Sequence, residues 1–373
     1  MIIKTKEFKD VCSKILSAID SNELSTITET LELKTEGKSL FLNVTNKEYF
    51  VSIKFDLDHE EAFHALVNAM LFLKLIAQIT SETIELTLFD TYINIKADGN
   101  YKIPFIQELT ELPKIVIENK TVEMNISGDI LESISQYNSK ELLKGTISKP
   151  VQNMYYIDQS GCITFTSGAC VNSFTLEKPI RILLNNRIVK LFKLFKNKTV
   201  KFTLGYDSLS NSIIQTKVRF EIDDIELTAI LSCDDTLLNS VPADKIRGRA
   251  NTLYPHSVVL NRFELLQSIN RLLLFSMGYG SKENIKPYST FEFDAQGLKI
   301  WDNKKENVET LQYQNNTTVN EPYTMILDLA DFKIVLDGCS EDYITLTFGN
   351  NQAAVIVRNN IKNVLPQVNE RRA

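Results

Sequence analysis

Arg187, Lys190, Lys193 and Lys196 stand in one short helical stretch with no acidic residue among them. An all-basic face can meet a polyanion, each cation displacing the small ions gathered around it. On a 100° helical wheel they spread over the side opposite Ile188, Leu191, Phe192 and Phe195. The plainer alternative is a charged face that simply meets water. Acidic pairs offer a second chemistry. Asp223-Asp224 follows a strand ending at Ile222, and Asp234-Asp235 follows another. Paired carboxylates at strand ends can hold Mg²⁺, although isolated pairs more often solvate a loop.

Little else supports catalysis. The three histidines, His59, His64 and His256, have no metal-ligand spacing, and no local motif supports a Ser/His/Asp triad. The 13 glycines contain neither a G-x-x-x-x-G-K-[ST] nor a G-x-G-x-x-G. The sequence therefore predicts no enzyme, catalytic residue, metal or cofactor. Cys12, Cys162, Cys170, Cys233 and Cys339 are scattered, odd in number and free of C-x-x-C, which fits a reducing compartment. The opening MIIKTKEFKD has charges where a signal peptide needs an apolar run. Ala65–Ile79 is apolar but is interrupted by Asn68, Lys74 and Gln78. A soluble, cytoplasmic protein with no membrane partner is the expectation. Its net charge of −6 coexists with a basic stretch, so charge is segregated. An acidic body with a local basic surface can touch a polyanion without sticking to it.

The elements that position these residues repeat. Phe8–Ile19, Glu60–Thr80, Ser127–Tyr137, Asn185–Lys196, Arg262–Phe275 and Leu329–Leu336 have helical periodicity, and alternating segments between them read as strands. Thr199–Leu204 is the strand on which the basic helix is mounted. Pro242–Arg249 (PADKIRGR) reads as a linker. The order is strand, helix, strands, helix, strands, three times over, at a spacing of roughly 120 residues. The fold class is α+β, with three similar domains of antiparallel sheets and two helices each. Their boundaries fall at 1–119, 120–246 and 247–373.

Several segments resemble the bacterial DNA polymerase III beta subunit, the processivity sliding clamp. They are the opening MIIKTKEFKDVCSKIL, the Thr166–Val171 turn, the strand and basic helix of Arg181–Lys196, the Thr236–Pro242 segment and Val364-Leu365-Pro366. The Asn-, Lys- and Ile-rich composition suggests a divergent phage or plasmid version. The resemblance implies that two copies close head to tail as a homodimeric ring, with helices lining a channel for double-stranded DNA. It implies a DNA polymerase and a clamp loader as partners. It also assigns DNA contact to Lys14, Lys140, Lys144, Arg187, Lys190, Lys193, Lys196, Arg271 and Lys333. A pocket for partner peptides would use Val151, Thr166, Gly168, Val171, Val364, Leu365 and Pro366. Tyr101, Leu274 and Phe275 would meet across the subunit boundary. Ala169 and Cys170 replace basic residues of the family pattern, and Gln367-Val368 followed by NERRA replaces its usual end. The competing readings are a phage scaffold of stacked α+β domains, or a metal-dependent nuclease built on Asp223-Asp224.

Overall fold

The structure is a computed structural model that describes residues 1–19, 25–137, 151, 154–165, 168–210, 213–231, 235–276, 287–314, 317–350 and 353–368. Among them, one module recurs six times: a strand, a helix and a three-stranded meander. The first module is β1 (Ile2–Lys4), α1 (Thr5–Leu16), β2 (Thr30–Glu36), β3 (Ser39–Thr45) and β4 (Tyr49–Asp56). The second is β5 (His64–Asn68), α2 (Ala69–Gln78), β6 (Thr83–Leu88), β7 (Tyr92–Lys96) and β8 (Asn100–Pro104). The third is β9 (Asn119–Ser127), α3 (Gly128–Tyr137), β10 (Met154–Asp158), β11 (Gly161–Phe165) and β12 (Ala169–Ser173). The fourth is β13 (Arg181–Asn185), α4 (Asn186–Val189) with a 3-10 continuation at Lys190–Phe195, β14 (Thr199–Ser210), β15 (Ile213–Glu221) and β16 (Ile225–Ile230). Two short helices follow, α5 (Asp235–Ser240) and α6 (Ala243–Ala250). The fifth is β17 (His256–Asn261), α7 (Arg262–Ser276), β18 (Tyr288–Phe293), β19 (Leu298–Trp301) and β20 (Val308–Leu311). The sixth is β21 (Tyr323–Asp328), α8 (Leu329–Asp337), β22 (Tyr343–Phe348), β23 (Ala353–Arg358) and β24 (Ile361–Pro366).

Successive modules exchange their leading strands. β1 pairs with β6 and β5 with β2; β9 pairs with β14 and β13 with β10; β17 pairs with β22 and β21 with β18. Two pairs of the resulting four-stranded sheets then fuse edge to edge. β4 meets β16 antiparallel (Val51↔Leu227), and β12 meets β24 antiparallel (Ala169↔Val364). The result is two eight-stranded and two four-stranded antiparallel sheets. The chain divides into two compact units, Met1–Glu132 with Arg187–Ser232, and Ser133–Asn186 with Cys233–Ala373.

Each helix follows its leading strand directly, and side chains at the junction explain the switch. The Asn68 side-chain oxygen accepts from the Leu71 N–H, and Asp328 accepts from Ala330 and Asp331. These caps satisfy backbone donors that the first helical turn cannot pair internally. Asn68 also marks where the expected single helix over Glu60–Thr80 is corrected. Residues 64–68 are a strand paired with β2, its central Ala65, Leu66 and Val67 all buried. A strand covered on both faces shows no alternation, so its apolar run merges with that of the following helix. Pro242–Arg249 is corrected too. Most of it is α6, pinned by Arg247, whose guanidinium donates to both Asp158 oxygens at 2.8 and 2.7 Å.

The helix-side core of the first unit includes Phe8, which meets Phe55 and Phe72 edge-on at 5.5 and 6.3 Å. In the second unit Phe291, Phe293, Phe332 and Phe348 lie in one buried cluster. The described cysteines, Cys12, Cys162, Cys170 and Cys339, are buried and unbridged. Among the described residues no helix is long and apolar enough to cross a membrane.

Candidate nucleic-acid interface and apolar pocket

The basic segment begins as one α turn and continues as a 3-10 helix. The sequence suggests why. From Arg187 it runs basic, apolar, apolar in strict triplets. Three residues per turn eclipse positions i and i+3. Lys190 and Lys193 therefore stand in one column, flanked by Arg187 on the α turn and Lys196 at the end. The remaining positions bury Ile188, Val189, Leu191, Phe192 and Phe195. Phe192 packs on Phe220 at 4.9 Å, and Phe202 meets the same ring at 5.4 Å. Lys190 and Lys193 thus line up as the centre of a basic ridge, with Arg187 and Lys196 at its ends.

α3 is seated against the end of this segment through Gly128, where an added Cβ would strike the carbonyl oxygen of Phe195. Gly128→Ala should destabilise the protein by roughly 1–3 kcal/mol, the usual cost of overpacking. Thermal melting measures it, and an unchanged Tm would mean that the backbone yields freely there.

Most of the cations assigned to DNA contact already hold a carboxylate. Lys14 pairs with Asp10 at 3.0 Å and reaches Asp224 at 4.0 Å. Arg187 lies 3.5 Å from Glu48, and Lys196 lies 2.7 Å from Glu132. That last hydrogen bond raises the Lys196 ammonium above the usual lysine range. Arg271 grips Glu309 through Nε at 2.7 Å and Nη2 at 2.6 Å, which holds the Glu309 carboxyl below its usual range. Lys333 pairs with Asp337 at 2.8 Å. Lys190 and Lys193 are exposed and have no acidic partner among the described residues. Lys140 and Lys144 lie outside the described residues. Lys74, outside that assigned set, is exposed and the sole charge on α2.

Asp223 and Asp224 line an open groove of about 590 Å³ together with Glu221, Lys198 and Lys201. Among the described residues no three metal-binding side chains converge. Asp235 opens α5, and Asp234 lies outside the described residues.

In the second unit, α6 packs over the β12–β24 joint and borders an open apolar pocket of about 270 Å³. Gly168, Val364 and Pro366 line it, with Phe165, Ala169, Pro242, Ile246, Arg249 and Ala353. An added Cβ on Gly168 would strike the Val364 carbonyl, so only glycine lets the strands approach this closely there. Val171 is buried beneath, and Val151 packs on the same cluster. Leu365 points to the opposite face, into the cluster of Phe291 and Phe332, because strand side chains alternate. Thr166 lies outside the described residues. The contribution of α6 was hidden by reading it as a linker.

The remaining assigned residues border two open edges. Tyr101 stands on β8, 36% exposed, and the neighbouring Lys102 ammonium sits 5.0 Å over the Tyr92 ring. Leu274 and Phe275 are 63% and 55% exposed, one turn beyond the Arg271 that grips Glu309 on β20.

No protein-family model matches the sequence, and no curated protein does. Solved structures do, and the chain has the fold of the DNA polymerase III beta subunit. The beta chain from Streptococcus pneumoniae TIGR4 superposes with a TM-score of 0.78 at 14% identity, over 99% of both chains. The subunit from Borrelia burgdorferi gives 0.77 at 15% identity, again over 99% of each. The sliding clamp from Bacillus subtilis gives 0.76 at 14% identity, over 99% of this chain and 98% of that one.

Proposed function

We propose that this chain is a sliding clamp, a non-catalytic processivity factor. As a closed head-to-tail homodimer it encircles double-stranded DNA and tethers a DNA polymerase, after placement by a clamp loader in the cytoplasm. The full-length likeness to beta subunits supports this reading. So does a rule in the chain's own topology, which carries the ring most directly. Modules one and two make a first domain (1–119), three and four a second (120–246), five and six a third (247–373). β4, closing the first module of domain one, joins β16, closing the second module of domain two. β12 and β24 repeat that relation between domains two and three. The same step taken once more pairs β20 with the β8 of another copy. Each copy then gives one edge and receives one, and two copies close the ring.

A ring holds DNA by enclosure, so its contacts need only be sequence-independent and exchangeable. Lys190 and Lys193, without an acidic partner among the described residues, suit that role. Lys190→Ala with Lys193→Ala should leave folding intact and flatten the slope of log affinity against log salt by about two units, roughly one per lost phosphate contact. Arg271→Ala with Lys333→Ala should change it far less, because those cations are already neutralised. Equal slopes for both double variants would remove the basic ridge from the interface.

The overall reading is tested by loading the protein on nicked circular DNA and then linearising it. A clamp slides off the linear form. Equal retention on both forms would mean a groove binder.

A further inference from the structure

The two outer cations of the ridge are each met by a carboxylate from outside the segment, and among the described residues the two central ones are not. Both carboxylates stand on fixed backbone. Glu132 lies on α3, whose Asp129 accepts the Asn197 N–H at 3.1 Å and so ties that helix to the residue after Lys196. Glu48 sits in a turn where the Asn46 side chain accepts from both the Glu48 and Tyr49 N–H groups, at 3.0 and 2.9 Å. Its carbonyl also accepts from Ile230 at 2.8 Å. Neither acid is carried to its cation by a loose loop.

We infer that Glu48 and Glu132 are internal competitors for phosphate, holding back Arg187 and Lys196 so that only Lys190 and Lys193 engage DNA at full charge. The inference rests on the sliding-clamp reading and deepens it. A cation facing water releases its share of the DNA's condensed ions when it meets a phosphate. While Lys196 keeps Glu132 the pair is close to neutral, so it neutralises little of a phosphate's charge and releases few of the condensed ions. Exposed pairs of this kind are weak and yield to a better partner. They cap the strength of the grip without blocking contact. Light contact suits a sliding ring, since each contact must pass readily from one phosphate to the next. On α7, Arg271 likewise meets a carboxylate from another element, Glu309 on β20, whereas Lys14 with Asp10 and Lys333 with Asp337 are pairs within their own helices.

The test is a salt titration of a fluorescein-labelled duplex against wild type, Glu48→Gln/Glu132→Gln, Arg187→Ala/Lys196→Ala and Lys190→Ala/Lys193→Ala. Both acids are surface groups and glutamine keeps their shape, so folding should persist, with thermal melting as the control. The glutamine pair should steepen the slope of log affinity against log salt by about two units. The Arg187/Lys196 pair should leave the slope nearly unchanged, and the Lys190/Lys193 pair should flatten it. A glutamine variant with the wild-type slope overturns the inference. So does an Arg187/Lys196 variant as flat as the Lys190/Lys193 one, since those cations would then be fully engaged. Wild type that leaves the duplex unbound even at low salt overturns the DNA reading, and this inference with it.

Discussion

Leu274→Lys with Phe275→Lys should give folded single chains that no longer stay on circular DNA. Both side chains are more than half exposed, so neither belongs to the domain's own core, and lysine there costs little internal packing. They follow, by one turn, the Arg271 that ties α7 to β20, the edge that the joining rule leaves open. Covering them and Tyr101 in a ring would contribute roughly 2–4 kcal/mol at each boundary. Exchanging that for two buried ammonium groups reverses the sign, because an unpaired charge cannot be taken from water cheaply. Light scattering reports the mass, and melting should stay within a few degrees of wild type. An unchanged oligomer would sink the β8–β20 pairing, and an unfolded chain would return these residues to the core.

Ile246→Glu should abolish capture of partner segments while leaving the ring whole. Ile246 sits on α6 at the wall of the apolar pocket, partly exposed, so a carboxylate there can reach water when the pocket is unoccupied. A docked apolar side chain would trap that charge, and more than a tenfold loss of affinity follows. Polarisation of a labelled extended peptide bearing bulky apolar side chains gives the affinity, and primer extension gives the processivity. Full binding by the variant would move the site elsewhere. Deleting Val364–Ala373 is a poor substitute, since β24 is hydrogen-bonded to both β12 and β23 and carries the buried Leu365.

The repeat was legible because six amphipathic helices punctuate the sequence at even intervals, and periodicity survives when identity does not. The basic ridge was legible from charge alone, but its geometry was not. Reading Arg187–Lys196 at 100° per residue hid the triplet pattern that a 3-10 turn satisfies better. β5 was lost inside a helix because a doubly covered strand offers no alternation. α6 was lost because its polar residues, Asp244, Lys245, Arg247 and Arg249, outnumber the buried alanines that anchor it. The carboxylates facing Arg187 and Lys196 were invisible for a different reason. Glu48 and Glu132 are remote in sequence, and only the fold brings them near.

The fused sheets also set a timetable for the ribosome. Phe50 in β4 pairs with Thr228 in β16, a separation of nearly half the chain. At ordinary elongation rates the β4 edge waits roughly ten to forty seconds for its partner. Through that interval its N–H and C=O groups are open to the same strand on a neighbouring nascent chain. β12 then stays open until β24 emerges. A chain stalled before residue 361 would therefore carry an exposed edge with no internal remedy, and expression at low temperature or with a strand-capping chaperone should raise its yield more than any change to its cores.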